Sequence, residues 1–306
     1  MAKGLRISCG YAIIKLLKNF GGKPKHQEGR EMEKFLTDMH THSKYSHDGQ
    51  VQLSKMLETA HKKGYAFYGV SEHFDYDYDL MQMTESERVA LANTDPEIYF
   101  HGARHLQEDY EGCMNVLIGA EFGFSRNQEV CDRYFATYEK YCPDFVINSV
   151  HGGEGRDFCR YTFTQDKGTV YRMYLKLIRD SLDAPYPYDI VGHIGYIARY
   201  VPYADNRLTL EEFGAEIDDI LKTIIQKDKI LEVNSSNKHL ANRTLPSAEI
   251  LRRYFELGGR KISYGSDAHG PDRIGDKREE VVALLKEIGF EYLTVPCRGE
   301  HIKVEL

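Results

Sequence analysis

The chain lacks the features that would place it in several large classes. It has no Cys-x-x-Cys pair, and Cys9, Cys113, Cys131, Cys142, Cys159 and Cys297 are too scattered for a short disulfide framework. That usage fits a reducing cytosol, so the expected location is cytoplasmic. No apolar run approaches the about 18 residues of a membrane span. Tyr11-Ala12-Ile13-Ile14 is cut short by Lys15, with no small-residue cleavage site behind it, so no signal peptide is expected. Positive charge is in deficit: 40 Lys and Arg against 47 Asp and Glu give a net charge of −7, which argues against a nucleic-acid partner. Walker and Rossmann glycine loops are missing, which disfavours nucleotide cofactors. The Gly-x-Ser-x-Gly elbow of serine hydrolases is missing too. There is no tryptophan, although tyrosine is abundant at 22 residues.

What remains is a 306-residue chain, long enough to bury a large core. Its charge is uneven. Residues 1–31 carry seven Lys/Arg and two Asp/Glu, a net of +5, which leaves −12 on the rest. Gly21-Gly22-Lys23-Pro24-Lys25 breaks any helix before it. Residues 1–31 are therefore read as a basic extension outside the fold, with Met32 an alternative start. A basic amphipathic helix over residues 3–20, lying on a membrane surface, is the competing reading. Residues 32–306 are expected to form a single domain.

From residue 34 onward one unit recurs: an apolar run ends in a polar residue, and a helical pattern follows. The runs are Phe35-Leu36 into Asp38-Met39-His40-Thr41-His42, Ala66–Val70 into Ser71-Glu72-His73, and Val116–Ala120 into Glu121. Phe145–Val150 leads into His151, Ile190-Val191-Gly192 into His193, Ile230–Val233 into Asn234-Ser235-Ser236, and Ile262–Gly265 into Ser266-Asp267-Ala268-His269. Apolar positions 53, 56, 57 and 60 predict a helix over residues 53–63; residues 169–181, 213–226 and 248–257 behave alike. Continuous apolar strands alternating with helices predict a parallel α/β architecture. An open doubly wound sheet would also fit. A distorted TIM-like (β/α)7 barrel is favoured, because its strand ends converge on one mouth. Tyr292–Val295 and Ile302–Val304 are expected as a closing edge. Residues 74–112 are expected to form a lid-like excursion and then a helix from about Pro96.

His40 and His42, two apart on a strand, face the same side. Such a pair alone more often marks surface or core histidines than a metal site. The other strand ends change that balance, adding His73, His151, His193 and His269 and the carboxylates Asp48, Glu121 and Asp267. Nine such groups at one mouth would be costly without cations, since clustered carboxylates raise one another's pKa. Imidazole with carboxylate suits Zn, Mn or Fe, and nine ligands suit two or three ions. His47 competes with Asp48, and the turn into Gly49 favours Asp48. His26, His61, His101, His105, His239 and His301 lack the strand-end context and are read as structural or solvated. Arg199 and Arg160 are candidate anion ligands, their planar forks suiting phosphate, with a surface ion pair as the bland alternative for each.

These motifs, from Asp38–Ser43 and Asp48-Gly49 through Ser71-Glu72-His73, Gly119-Ala120-Glu121, Ser149-Val150-His151 and Gly192-His193 to Gly265–His269, resemble the PHP (polymerase and histidinol phosphatase) superfamily. Within it, Tyr196-Ile197 with Arg199–Tyr203, Leu231–Ser236 and Arg253–Gly259 are most similar to monofunctional histidinol-phosphate phosphatases. The resemblance covers residues ~34–290. It implies one metal on His40, His42, Glu121 and Asp267, a second on Glu121, His151 and His193, and a third on Asp48, His73 and His269. It also implies catalytic roles for Asp267, Glu121 and Arg199, phosphate or substrate contacts from Arg199, Arg160 and Asn234, and a small phosphorylated substrate. Rival readings are the same chemistry on another monoester or nucleotide, or a non-catalytic metal-binding module. Two departures lie by the expected substrate pocket: Gly195 in place of a common Asp, and Ser235-Ser236-Asn237 in place of Asn-Thr-Ser-Gly.

Overall fold

In the computed structural model of the chain, which describes residues 36–80, 83–153, 156–236 and 244–306, the seven runs become seven strands of one sheet. They are β1 (Leu36–Asp38), β2 (Tyr65–Phe74), β3 (Asn115–Gly123), β4 (Val146–Ser149), β5 (Ile190–Val191), β6 (Ile230–Asn234) and β7 (Ile262–Gly265). They lie side by side in chain order, and every neighbouring pair is parallel. The ring closes just beyond the two end strands. Met39 N–H donates to Tyr264 O at 2.9 Å, Asp267 N–H to His40 O at 2.8 Å and His42 N–H to Ala268 O at 2.9 Å. The barrel expectation holds. The proposed extension at residues 1–31, the amphipathic helix within it, Phe35, His26, His239 and Asn237 lie outside the described residues.

The helices are α1 (Leu53–Lys62), α2 (Glu85–Ala90), α3 (Pro96–Glu108), α4 (Gln128–Tyr141), α5 (Lys167–Ser181), α6 (Leu210–Gln226), α7 (Ala248–Glu256) and α8 (Arg278–Ile288). Their apolar stripes face the sheet: Leu53, Met56, Leu57 and Ala60 of α1 are all buried. α5 and α6 begin a few residues before their apolar stripes, because Asp166 and Thr209 cap them by accepting from Thr169 N–H and Glu212 N–H. Pro96 opens α3 behind the N-cap Asp95, as its fixed φ suits a first turn. Among the described residues no helix is long and apolar enough to cross a membrane.

The closing-edge expectation is corrected. Tyr292–Cys297 and Glu300–Glu305 form β8 and β9, an antiparallel hairpin separate from the barrel sheet. Val295, Cys297 and Val304 of the hairpin pack on Phe67, Leu117, Ile147, Ile190 and Ile230. Those five lie at or near the N-terminal ends of their strands, so the hairpin plugs the base of the barrel and leaves the opposite mouth for polar chemistry.

Candidate metal centre

All nine predicted ligands meet at the C-terminal mouth. β3 is the hub, because its Glu121 is completely buried and central. Glu121 Oε2 lies 2.8 Å from His73 Nδ1, 3.3 Å from His40 Nε2 and 3.7 Å from His42 Nε2; Oε1 lies 2.9 Å from His193 Nε2 and 3.1 Å from His151 Nε2. Asp267 Oδ1 is 3.4 Å from His42 Nε2 and 3.9 Å from His40 Nε2. Asp48 sits across the mouth, 2.9 Å from His269 Nε2 and 3.7 Å from His73 Nε2. His47 is exposed, with its ring 5.7 Å from that of His73, so Asp48 is the better placed of the two.

Four groups bring their donor atoms within 4.8 Å: His40, His42 and Asp267; His40, Glu121 and His193; His73, Glu121 and His151; and His42, His73 and His269. This is more interlaced than the three sets implied by the resemblance, since His73 joins Glu121 and His151, His40 joins Glu121 and His193, His42 joins His73 and His269, and Asp48 falls in none of the four.

The donors satisfy one another only in part: Glu121 Oε1 lies within hydrogen-bond reach of His151 Nε2 and His193 Nε2, but the rest are left over. His40 Nε2, both nitrogens of His42, His73 Nδ1, His193 Nδ1, Glu121 Oε2 and His269 Nε2 are buried without hydrogen-bond geometry to any partner. Such atoms cost free energy unless something else occupies their lone pairs. The tautomers agree. A carboxylate only accepts, so His40 Nδ1–H donates to Glu232 Oε1 at 2.6 Å and His151 Nδ1–H to Asp75 Oδ1 at 2.8 Å. His269 Nδ1 is 3.0 Å from the Asp267 carbonyl. For His40 and His269 the contact leaves Nε2 as a bare lone pair facing the centre, the arrangement of a metal-ligating histidine, while His151 Nε2 also reaches Glu121 Oε1. The residues therefore fit divalent metal ions.

Charge follows from the same packing. Burial alone would raise Glu121, but without metal the positive charge of protonated His40, His151 and His73 holds it well below the carboxylate range. Burial likewise works against Asp48, and the charge of His73 together with the close approach of His269 holds it down. Asp267 has a left-handed backbone at φ 54°, which Asp tolerates better than most residues. It is reached by Arg199 at 3.6 Å, whose guanidinium lies over the Tyr196 ring and donates to the Ser236 carbonyl.

The other expected substrate residues fare differently. Arg160 is not gathered into the cluster; it pairs with Glu87 of α2 at 2.9 Å. The polar atoms of Asn234 are engaged locally: Nδ2 donates to Glu232 Oε1 at 3.3 Å and Oδ1 accepts from Ser236 N–H at 2.9 Å. Gly195 has φ 104° and opens the short 3₁₀ turn Tyr196–Arg199 that carries the arginine. Glycine suits that backbone, which strains a residue with a side chain.

Four buried carboxylates were not singled out from sequence. Glu232 holds His40 and also accepts from His193 N–H at 2.6 Å, tying β1 to β5. Asp75 holds His151. Glu72 accepts from the backbone N–H and hydroxyl of both Ser43 and Ser46, which shapes the loop to Asp48. Asp38 accepts from His40, Ser266 and Gly275 N–H groups at the barrel seam. The signal for Glu232 was a lone carboxylate inside an apolar strand. Asp75 was hidden at the head of the acidic run Asp75-Tyr76-Asp77-Tyr78-Asp79.

Comparison with known proteins agrees with this geometry. The family model of the PHP domain matches residues 38–236. A probable histidinol-phosphatase of Clostridium acetobutylicum is 29% identical over 265 residues, 83% of this chain and 96% of that protein. The histidinol-phosphatase of Lactococcus lactis is 27% identical over 84% of this chain and 92% of its own length. The crystal structure of the Lactococcus lactis histidinol phosphate phosphatase, complexed with zinc, L-histidinol and phosphate, superposes with a TM-score of 0.75 at 24% identity, covering 89% of this chain and all of that one. A putative histidinol phosphatase of Listeria monocytogenes superposes at 0.69 with 21% identity, over 80% of this chain and 99% of that one.

Proposed function

The chain belongs to the PHP domain family, and from that premise we propose that it hydrolyses L-histidinol phosphate to L-histidinol and phosphate, a step of histidine biosynthesis in the cytoplasm. The observation that carries this reading is the set of buried histidine nitrogens around Glu121 that have no hydrogen-bonding partner. Two or three ions of Zn, Mn or Fe would be held by His40, His42, Asp48, His73, Glu121, His151, His193, Asp267 and His269. When bound, they would polarise the phosphoryl oxygens and lower the pKa of the attacking water.

The chain's own residues supply the rest. The water oxygen forms a bond to phosphorus while the bond to the alcohol oxygen breaks. Asp267, kept anionic by nearby His42 and by the charges of His40, His269 and Arg199 against the effect of burial, takes the water's proton. The departing alcohol oxygen takes up that proton from Asp267, which returns to its anionic form. Arg199 is the cation beside Asp267, placed to meet charge building on the phosphoryl oxygens. Arg160 would reach substrate only by releasing Glu87.

Chelation should abolish turnover of histidinol phosphate, and Zn, Mn or Fe should restore it. A panel of nucleotides and sugar phosphates should be hydrolysed at least tenfold more slowly. Near-normal activity in both His42→Ala and Asp267→Asn would place the reaction elsewhere.

A further inference from the structure

Beside the metal centre lies a cavity of about 700 Å³ that the phosphate chemistry does not use. It starts one residue past His151, at Gly152 and Gly153, and one past Gly123, at Phe124. Phe124 and Leu177 give it apolar wall. Two of its three arginines are already neutralised, Arg126 by Asp180 at 2.5 Å and Arg160 by Glu87, and the third, Arg156, is exposed.

The acids in it and beside it are engaged as well, with one exception. The run Asp75-Tyr76-Asp77-Tyr78-Asp79 turns both tyrosines into the core. Asp75 is held by His151. Asp79 is held by Arg133 at 2.6 Å and Asn93 at 3.1 Å. Asp157, across the cavity, accepts from the Tyr78 hydroxyl and from Cys159 N–H. Asp77 alone has no partner beyond its own backbone among the described residues, although it is largely shielded and lines the cavity.

We infer that Asp77 is a specificity residue, whose carboxylate receives the ammonium group of the leaving alcohol while the phosphate sits on the metals and Arg199. The inference rests on the phosphatase reading above and adds the determinant of its leaving group. A carboxylate can only accept, so its natural complement is a cationic N–H donor. Burial, and then Asp75 and Asp157, push the Asp77 carboxyl up to about 7; a cation bound between these acids relieves the repulsion. In L-histidinol phosphate the amine is on the carbon next to the phosphorylated one, so it stays close to the phosphate, and Asp77 is near enough to Asp75 and His151 to feel their charge. The imidazole then extends along the apolar wall.

The test compares Asp77→Asn, Asp77→Ala and Asp77→Glu with the wild-type metal-loaded enzyme. Asp77→Asn should lower kcat/KM for histidinol phosphate roughly 10- to 100-fold, mostly through KM, while ethyl phosphate, which has no amine, changes less than about twofold. Asp77→Glu should recover part of the loss. Equal losses on both substrates, or no loss on histidinol phosphate, would overturn the inference; metal content and melting temperature identify a variant that fails to fold. If the wild type rejects histidinol phosphate, the proposed substrate is wrong, and Asp77 is judged on phosphoethanolamine against ethyl phosphate. A wild-type preference for the amine that vanishes in Asp77→Asn upholds it, and no preference overturns it.

Discussion

Glu232 and Asp75 set the tautomers of His40 and His151, and thereby decide which nitrogen faces the mouth. Glu232 is the more constrained of the two, because Gly265 crosses it closely. A Cβ at Gly265 would collide with Glu232 Oε1 and with His40 Cβ, so β7 must carry glycine there. Replacing Glu232 by Gln keeps the shape but weakens the acceptor and adds an N–H that competes with His193 N–H. Outer partners of this kind are worth roughly 10- to 100-fold in metal affinity or activity. Glu232→Gln is therefore expected to lose bound metal at that level while melting close to wild type in the metal-free state. Unchanged metal content by elemental analysis would show that His40 is oriented by something else.

The loop after β1 and the seam between β1 and β7 depend on buried carboxylates rather than on strand length. Glu72 carries the first: two backbone N–H groups and two hydroxyls of Ser43 and Ser46 converge on it. Glu72→Ala leaves these donors unpaired, and a loss of about 2–4 kcal/mol is expected, read from denaturant unfolding of the metal-free protein. A loss under about 0.5 kcal/mol would mean that water replaces the carboxylate fully. Asp38 carries the second, and burial raises its pKa to about 6 from the ordinary 3.8 despite the N–H groups it accepts from. The folded chain thus binds this proton more tightly than the unfolded chain does. The stabilisation is fully present below about pH 4 and lost as pH rises through about 6, at most about 3 kcal/mol. Wild-type stability relative to Asp38→Asn should therefore fall between pH 4 and 7; a difference independent of pH would contradict the assignment.

At the scale of the molecule, much was legible because the strands are continuous apolar runs and each ends in chemistry. All nine mouth residues were readable from that pattern. Glu72 and Glu232 were not, because a carboxylate within a strand announces burial but not its partner. The hairpin β8–β9 was misread as a barrel edge because its turn is atypical. Arg298 and Gly299 take φ values of 51° and 83°, and arginine rarely signals such a turn. Arg160 ends the short 3₁₀ turn Phe158–Arg160, and nothing in sequence distinguishes an anion ligand there from an ion pair with distant Glu87.

The barrel wall is also uneven, and that has a mechanical consequence. Eight residue pairs register β2 with β3, but β5 is held by only two on each side. Apart from the seam between β1 and β7, which has no register pairs, β5 is the weakest link, so slow breathing of the wall away from the seam should start at Ile190–Val191. His193 lies immediately beyond that link, and Glu121 and Glu232 reach it from the neighbouring arcs. Metal bound there would act as a rivet across the gap, replacing backbone hydrogen bonds that the short strand cannot make. Amide exchange at residues 190–194 should then slow on metal loading by more than at β2 or β3, and equal slowing throughout would show that the wall opens as one piece.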